Sequence, residues 1–81
     1  MSNDRIHQVV SRVFGIPLEK VTENSSPDNI EKWDSLSHIN LIVSIEAEFA
    51  INLTPEEAME MLSVKLIRLT LAEHGITDVK R

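Results

Sequence analysis

Three side chains that could take part in catalysis occur in the short run WDSLSH, residues 33–38. Asp34, Ser35 and His38 are the residue types of a hydrolytic triad, and Ser35 and His38 are spaced i, i+3, which makes them neighbours on a helix. A triad also needs an oxyanion hole and a substrate pocket. A chain of 81 residues with two glycines has no Gly-rich turn to form them. We therefore expect a protein that is not an enzyme, with His38 partly buried and hydrogen-bonded.

Ser35 stands at the head of the most apolar stretch, where a helix is expected to begin. Asp34 is a favourable N-cap, and a cap supplied by Asp34 leaves the Ser35 hydroxyl free in the first turn. Backbone amides there lack intrahelical partners and the helix dipole is positive, so a phosphate ester on Ser35 would occupy a favourable anion site. Two interpretations remain open: a serine that only helps to start the helix, and a serine that receives a phosphorylated group.

The sequence before this turn predicts one helix and a long connection. Apolar residues at i, i+3, i+4, i+7 and i+8 indicate an amphipathic helix over residues 3–14, ended by Gly15. An irregular segment rich in turn-forming residues follows at 16–32. We expect three of its apolar residues to pin it to the core: Leu18, Val21 and Ile30.

Three further helices are indicated after Asp34. The second of the chain runs from Ser35 to about Ala50. The third begins at a capping box whose cap, N1 and N3 residues are Thr54, Pro55 and Glu57. It is short, because Ser63 is expected to cap a fourth helix that ends at Gly75.

The predicted fold is therefore all-α, since no stretch alternates polar and apolar residues as a strand would. We expect a small bundle of three main helices and one short helix, with a long first loop. The chain is long enough for a single domain, residues 1–81, with an ordered core of about 3–75 and a short C-terminal tail, 76–81.

Charge is distributed unevenly along the chain. Residues 33–64 contain six acidic residues and no Lys or Arg, whereas the remainder has eight basic and seven acidic residues. A nucleic-acid-binding surface needs the opposite sign. An acidic patch suits basic protein partners, unless it is only a solvated face.

Composition also limits the chemistry and the location of the protein. The absence of cysteine excludes a disulfide, a thiolate metal site and a cysteine nucleophile, and His7 and His74 are too scattered to indicate a metal site. Neither a signal-peptide pattern nor an apolar run long enough to span a membrane is present. We expect a cytoplasmic protein.

The apolar residues of the second helix form two stripes on opposite sides. One can face the core, together with His38: Leu41, Ile42, Ile45 and Phe49. The other has little left to pack against in so small a protein: Leu36, Ile39, Val43 and Ala47. This second stripe either covers the long first loop or forms an exposed docking surface beside acidic residues.

The run DSLSHINLIVSIEAEFAINLTPEEA, residues 34–58, resembles an acyl carrier protein. The family pattern places Asp-Ser-Leu at the start of the second helix, followed by an apolar helix that ends in an acidic-aromatic segment. An apolar-x-apolar step and a helix start with two glutamates come next. The resemblance extends over residues 6–71 and rests on the combined spacing of these pieces.

This resemblance implies that Ser35 carries 4'-phosphopantetheine, transferred from coenzyme A by a Mg²⁺-dependent phosphopantetheinyl transferase, with Asp34 as its motif neighbour. The protein would be a carrier whose partner enzymes load, process and remove acyl groups held as thioesters. The acyl chain could lie between helices, where Met59 and Met61 would allow adaptable packing. The partner-binding residues implied by position are Leu36, Ile39, Val43, Glu46, Glu48, Glu56 and Glu57.

The sequence departs from the carriers of fatty acid synthesis at two positions early in the second helix. Ser37 and Asn40 stand where those carriers have acids, and Trp33 before the motif is more typical of specialised or polyketide-type carriers. We therefore expect a monomeric, dedicated carrier for fatty acid, polyketide or related biosynthesis. A peptidyl or aminoacyl carrier and an unmodified helical interaction module remain open alternatives.

Overall fold

The computed structural model describes residues 4–77. These residues form four α-helices: α1, Arg5–Phe14; α2, Ser35–Phe49; α3, Pro55–Glu60; and α4, Val64–Glu73. A 3₁₀ turn, Leu18–Lys20, interrupts the long connection between α1 and α2. The all-α prediction of three main helices and one short helix is confirmed. The expected first residue of α1, Asn3, and the tail residues 78–81 lie outside the described residues.

Local capping explains where the helices begin and end. The Asp4 carboxylate caps α1 by accepting a hydrogen bond from the Ile6 amide at 2.9 Å, and Gly15 ends the helix in the left-handed conformation, with φ of 63°. The predicted capping box at α3 and the Ser63 cap at α4 are both present. These caps satisfy backbone groups that have no partner within the helices themselves.

The core lies where α1, α2 and α4 meet and includes part of the first loop. Its buried apolar side chains are Ile6, Val9, Val10, Phe14, Val21, Ile30, Trp33, Leu41, Ile45, Phe49, Met61, Val64, Ile67 and Leu71. Val21 and Ile30 pin the loop as predicted. Leu18 is only partly buried and does not belong to the core, because it lies in the 3₁₀ turn, none of whose residues is buried. Ile16 packs against the core as well.

An ion-pair network fastens the first loop to α1 and α4. The Arg68 guanidinium donates to both carboxylate oxygens of Glu23 and also to Asp4. The backbone amides of Val64 and Lys65 donate to the Ser25 and Glu23 carbonyls at 3.1 and 3.0 Å. The loop therefore has a fixed path, and this path brings its end, at Trp33, to the head of α2.

None of the helices between residues 4 and 77 is long and apolar enough to cross a membrane.

Candidate functional site

Ser35 is the first residue of α2, and its side chain is exposed. Asp34 caps the helix, because its Oδ1 accepts a hydrogen bond from the Ser37 amide at 2.9 Å. That backbone hydrogen bond is also the main cause of the lowered pKa of Asp34. The Ser35 hydroxyl makes no hydrogen bond to any part of the chain that the structure describes. The structure thus confirms that Asp34 is the cap and that the Ser35 hydroxyl is left uncommitted.

The position of Ser35 suits an attached anion. The helix it begins has 15 residues, so peptide dipoles add up to a partial positive charge at its N-terminus. The anionic Asp34 lies beside this end and is held by its cap hydrogen bond. A phosphodiester on Ser35 would therefore project into solvent from an electropositive helix end.

An open groove of about 490 Å³ adjoins Ser35. It lies between the end of the first loop, the first turn of α2, and the segment from α3 to α4. Its lining residues are Pro27, Trp33, Asp34, Ser35, His38, Met59 and Leu62. Most of this lining is apolar, and the volume falls within the range of small-ligand sites. The groove can therefore shelter an extended, partly apolar group attached at Ser35.

His38 lies in this groove with both ring nitrogens engaged. Its Nδ1 accepts a hydrogen bond from Trp33 Nε1 at 2.9 Å, and its Nε2 lies 2.7 Å from the Ala58 carbonyl oxygen. An indole nitrogen can only donate and a carbonyl can only accept, so His38 is neutral with its proton on Nε2. This ring has no free nitrogen to take a proton from Ser35. The arrangement contradicts a serine hydrolase and confirms a partly buried, hydrogen-bonded histidine.

The second apolar stripe of α2 is exposed. Leu36, Ile39 and Val43 retain 70%, 59% and 58% of their accessible surface. Ala47 is exposed as well. The stripe does not cover the first loop, because its side chains are exposed while the loop packs into the core through Val21, Ile30 and Trp33. An apolar surface of three large side chains therefore begins directly beside Ser35.

The four acidic residues implied as partner contacts are in different environments. The Glu48 carboxylate faces α1, where Arg5 Nε donates to it at 3.0 Å. One oxygen of Glu46 accepts the Leu53 amide at 2.9 Å, and Glu57 serves the α3 capping box and pairs with His74. Glu56 is exposed and has no hydrogen-bonding partner among the residues described. Glu48 thus lies apart from the exposed stripe and has a structural role.

The sequence pointed to only one of the two residues in the outer wall of the groove, since Met59 was expected to pack against an acyl chain and Leu62 was not singled out. Met61 is buried in the core, but Met59 and Leu62 are 74% and 47% exposed and line the groove. Both lie at the short α3 or just after it, where too few turns exist for periodicity to separate an inner face from an outer one. The only local sign of this exposed wall is the shortness of α3, which begins at Pro55 and is confined to about two turns by the Ser63 cap of the next helix.

Comparison with known proteins places this geometry in a family. Residues 4–67 match the phosphopantetheine attachment site family. The acyl carrier protein of Buchnera aphidicola from Schizaphis graminum is 33% identical over 61 residues, which are 75% of this chain and 77% of that protein. The acyl carrier protein of the Baizongia pistaciae strain is 33% identical over 63 residues, 78% and 81% of the two chains. The chain belongs to the acyl carrier protein family.

A solved structure agrees with this assignment. The solution structure of holo acyl carrier protein from Geobacter metallireducens superposes with a TM-score of 0.68 at 32% identity, covering 85% of this chain and 84% of that one. Members of the family are carriers rather than catalysts, and their prosthetic group is phosphopantetheine. The described residues fit that group, since an uncommitted hydroxyl, an electropositive helix end and an apolar groove lie together.

Proposed function

We propose that Ser35 is the residue that bears the 4'-phosphopantetheine arm and that the protein carries acyl groups between biosynthetic enzymes. The observation that carries this proposal is the exposed hydroxyl of Ser35 at the first position of α2, which makes no hydrogen bond within residues 4–77. When bound, the arm supplies a thiol on which acyl groups are held as thioesters. The chain has no cysteine, so no protein thiol competes with it.

The residues around Ser35 hold the attachment point rather than perform chemistry. Asp34 fixes the first turn of α2 by capping it, so that the hydroxyl projects from a rigid position. The partial positive charge of the helix end stabilises the phosphodiester. The apolar walls provided by Trp33, Met59 and Leu62 give the arm and its cargo a surface to rest against.

The partner enzymes, beginning with a phosphopantetheinyl transferase, would dock on the exposed stripe of α2. Leu36, Ile39 and Val43 supply the apolar contacts. Glu56 supplies an exposed negative charge that has no partner among residues 4–77, and the remaining carboxylate oxygens of Glu46 and Glu57 add to the field. These charges favour enzymes with basic surfaces around their active sites. Glu48 is left out of this surface because Arg5 already binds it.

The expected cargo is an acyl intermediate of fatty acid, polyketide or related biosynthesis. Ser37 and Asn40 leave the first two turns of α2 without acidic side chains beyond the cap. A partner that relies on acids at those positions would bind weakly, which favours a dedicated set of partner enzymes. We place the protein in the cytoplasm as a monomer.

The test is the intact mass of the protein after incubation with coenzyme A, Mg²⁺ and a promiscuous phosphopantetheinyl transferase. A gain of one phosphopantetheine is expected for the wild type and for the matched control Ser37→Ala, and none for Ser35→Ala. An unchanged wild-type mass would instead favour a helical interaction module. If the mass increases, trapping the native thioester would separate acyl from aminoacyl or peptidyl cargo.

A further inference from the structure

His38 connects two elements on opposite sides of the groove. One hydrogen bond reaches Trp33, at the end of the first loop, and the other reaches the Ala58 carbonyl in α3. The imidazole also lies nearly parallel to the indole, with ring centroids 6.2 Å apart and an interplanar angle of 18°. The two bonds hold the ring at both ends, so its orientation is fixed.

The two partners of His38 differ in how firmly they are held. Trp33 is 3% exposed, and its indole stacks on the Phe14 ring of α1 at 4.9 Å. In contrast, α3 has only six residues and buries none of them. A helix with so little buried apolar surface is held mainly by polar contacts and opens more readily than the core. Trp33 is therefore the anchor, and α3 is the element that His38 positions.

The position of α3 determines the shape of the groove at Ser35. Met59 lies within α3 and Leu62 lies two residues beyond its end, and both form the outer wall. If α3 moves away from α2, this wall moves with it, and the surface beside Ser35 changes.

We propose that His38 is a positioning residue that latches α3 to the head of α2 through the chain of bonds from Trp33 to Ala58. The latch holds the groove in the form that an enzyme acting on Ser35 contacts. The effect of the groove on an enzyme that acts on Ser35 rests on the proposed function, whereas the contact between His38 and α3 does not.

Two substitutions at position 38 separate the two bonds. The asparagine amide of His38→Asn reaches the position of Nδ1, so it can accept from Trp33 but is too short to reach Ala58. The longer amide of His38→Gln reaches the position of Nε2 and can donate to Ala58. We expect amide hydrogen exchange at Ala58 and Met61 to be about 2- to 10-fold faster in His38→Asn, the range for one lost hydrogen bond. In His38→Gln, which keeps the bond to Ala58 but loses the one to Trp33, the exchange rate should increase less than in His38→Asn.

The kinetic readout is the modification of Ser35 by the transferase. His38→Asn is expected to raise KM, by no more than the factor by which exchange increases, and to leave kcat nearly unchanged, because the reacting hydroxyl stays in place. The increase in KM should be smaller for His38→Gln. Equal exchange rates in α3 for the two variants would overturn the latch, and equal KM values would overturn its effect on the modification of Ser35.

A spectrum of the wild-type protein provides a check that needs no substitution. The ¹⁵N shifts of the imidazole are expected to show a protonated Nε2 and an unprotonated Nδ1, and the reverse tautomer would refute the latch. If Ser35 is never modified, the exchange rates and the ¹⁵N spectrum still decide whether His38 holds α3. Failure of the proposed function is thus distinguishable from failure of the latch.

Discussion

Replacing Glu23 with glutamine should weaken the attachment of the first loop to the helices. Arg68 donates to the Glu23 carboxylate at 2.7 and 2.8 Å, and His7 Nε2 lies 2.8 Å from one of its oxygens. The hydrogen bonds from Arg68 are the main cause that lowers the pKa of Glu23 from 4.5 to about 2. The same contacts, with Asp4, raise the pKa of Arg68. The carboxylate is therefore stabilised in the folded state.

The free energy that the Glu23 carboxylate contributes to stability follows from its pKa in the folded and unfolded states. A fully shielded group with this shift would stabilise the fold by about 3 kcal/mol, at 1.36 kcal/mol per pKa unit. The side chain is 43% exposed, so solvent screening reduces the value, and we expect Glu23→Gln to cost about 1 to 2 kcal/mol at pH 7. For a domain of this size, that lowers Tm by about 5 to 15 °C.

The stabilisation that Glu23 provides changes with pH in a defined direction. Because the folded-state pKa lies below the unfolded value, the stabilisation is complete above pH 4.5 and is lost as the pH falls toward 2. At about pH 3, only about two-fifths of it should remain. The difference between wild type and Glu23→Gln should therefore shrink on acidification.

Chemical denaturation of wild type, Glu23→Gln and Glu19→Gln at pH 7 and pH 3 tests this reasoning. Glu19 is the matched control, since it lies exposed in the same loop and has no ion-pair partner within the described residues. The account is wrong if Glu23→Gln is as stable as Glu19→Gln at pH 7. It is also wrong if the loss of stability is undiminished at pH 3.

Two further substitutions test the fold and the proposed docking stripe. Gly15→Ala places a Cβ on a residue with φ of 63° and should lower the free energy of unfolding by about 1 kcal/mol; an unchanged Tm would contradict the left-handed cap. Leu36→Ala should change stability by less than about 0.5 kcal/mol because the side chain is exposed, while raising KM for the transferase. The buried control Leu41→Ala should lose about 2 to 5 kcal/mol, and equal losses for the two leucines would refute the exposed stripe.

The local features of the fold were predictable from sequence because each depends on a few adjacent residues. Asp34, Thr54 and Ser63 cap helices through bonds to amides three residues away, and Gly15 supplies a conformation that few other residues adopt. The exposure of the second stripe was one of two alternatives. The choice depended on where the first loop packs, which is a long-range property.

The features that sequence could not supply are contacts between distant segments. The bond from His38 to Ala58 spans 20 positions, and the pairing of Arg5 with Glu48 spans 43. Neither leaves a periodic signature. The ion pair with Arg5 also explains why the carboxylate of Glu48, an acid at a family-like position, faces α1. The groove wall at Leu62 arises in the same way, from packing just after a helix too short to show a pattern.

Peptide-resolved mass spectrometry of the protein purified from its native cell tests the central assignment most directly. The account predicts that the peptide containing Ser35 carries the mass of one phosphopantetheine and that no other serine does. A peptide with unmodified Ser35 in every preparation, or an arm attached at another residue, would contradict it.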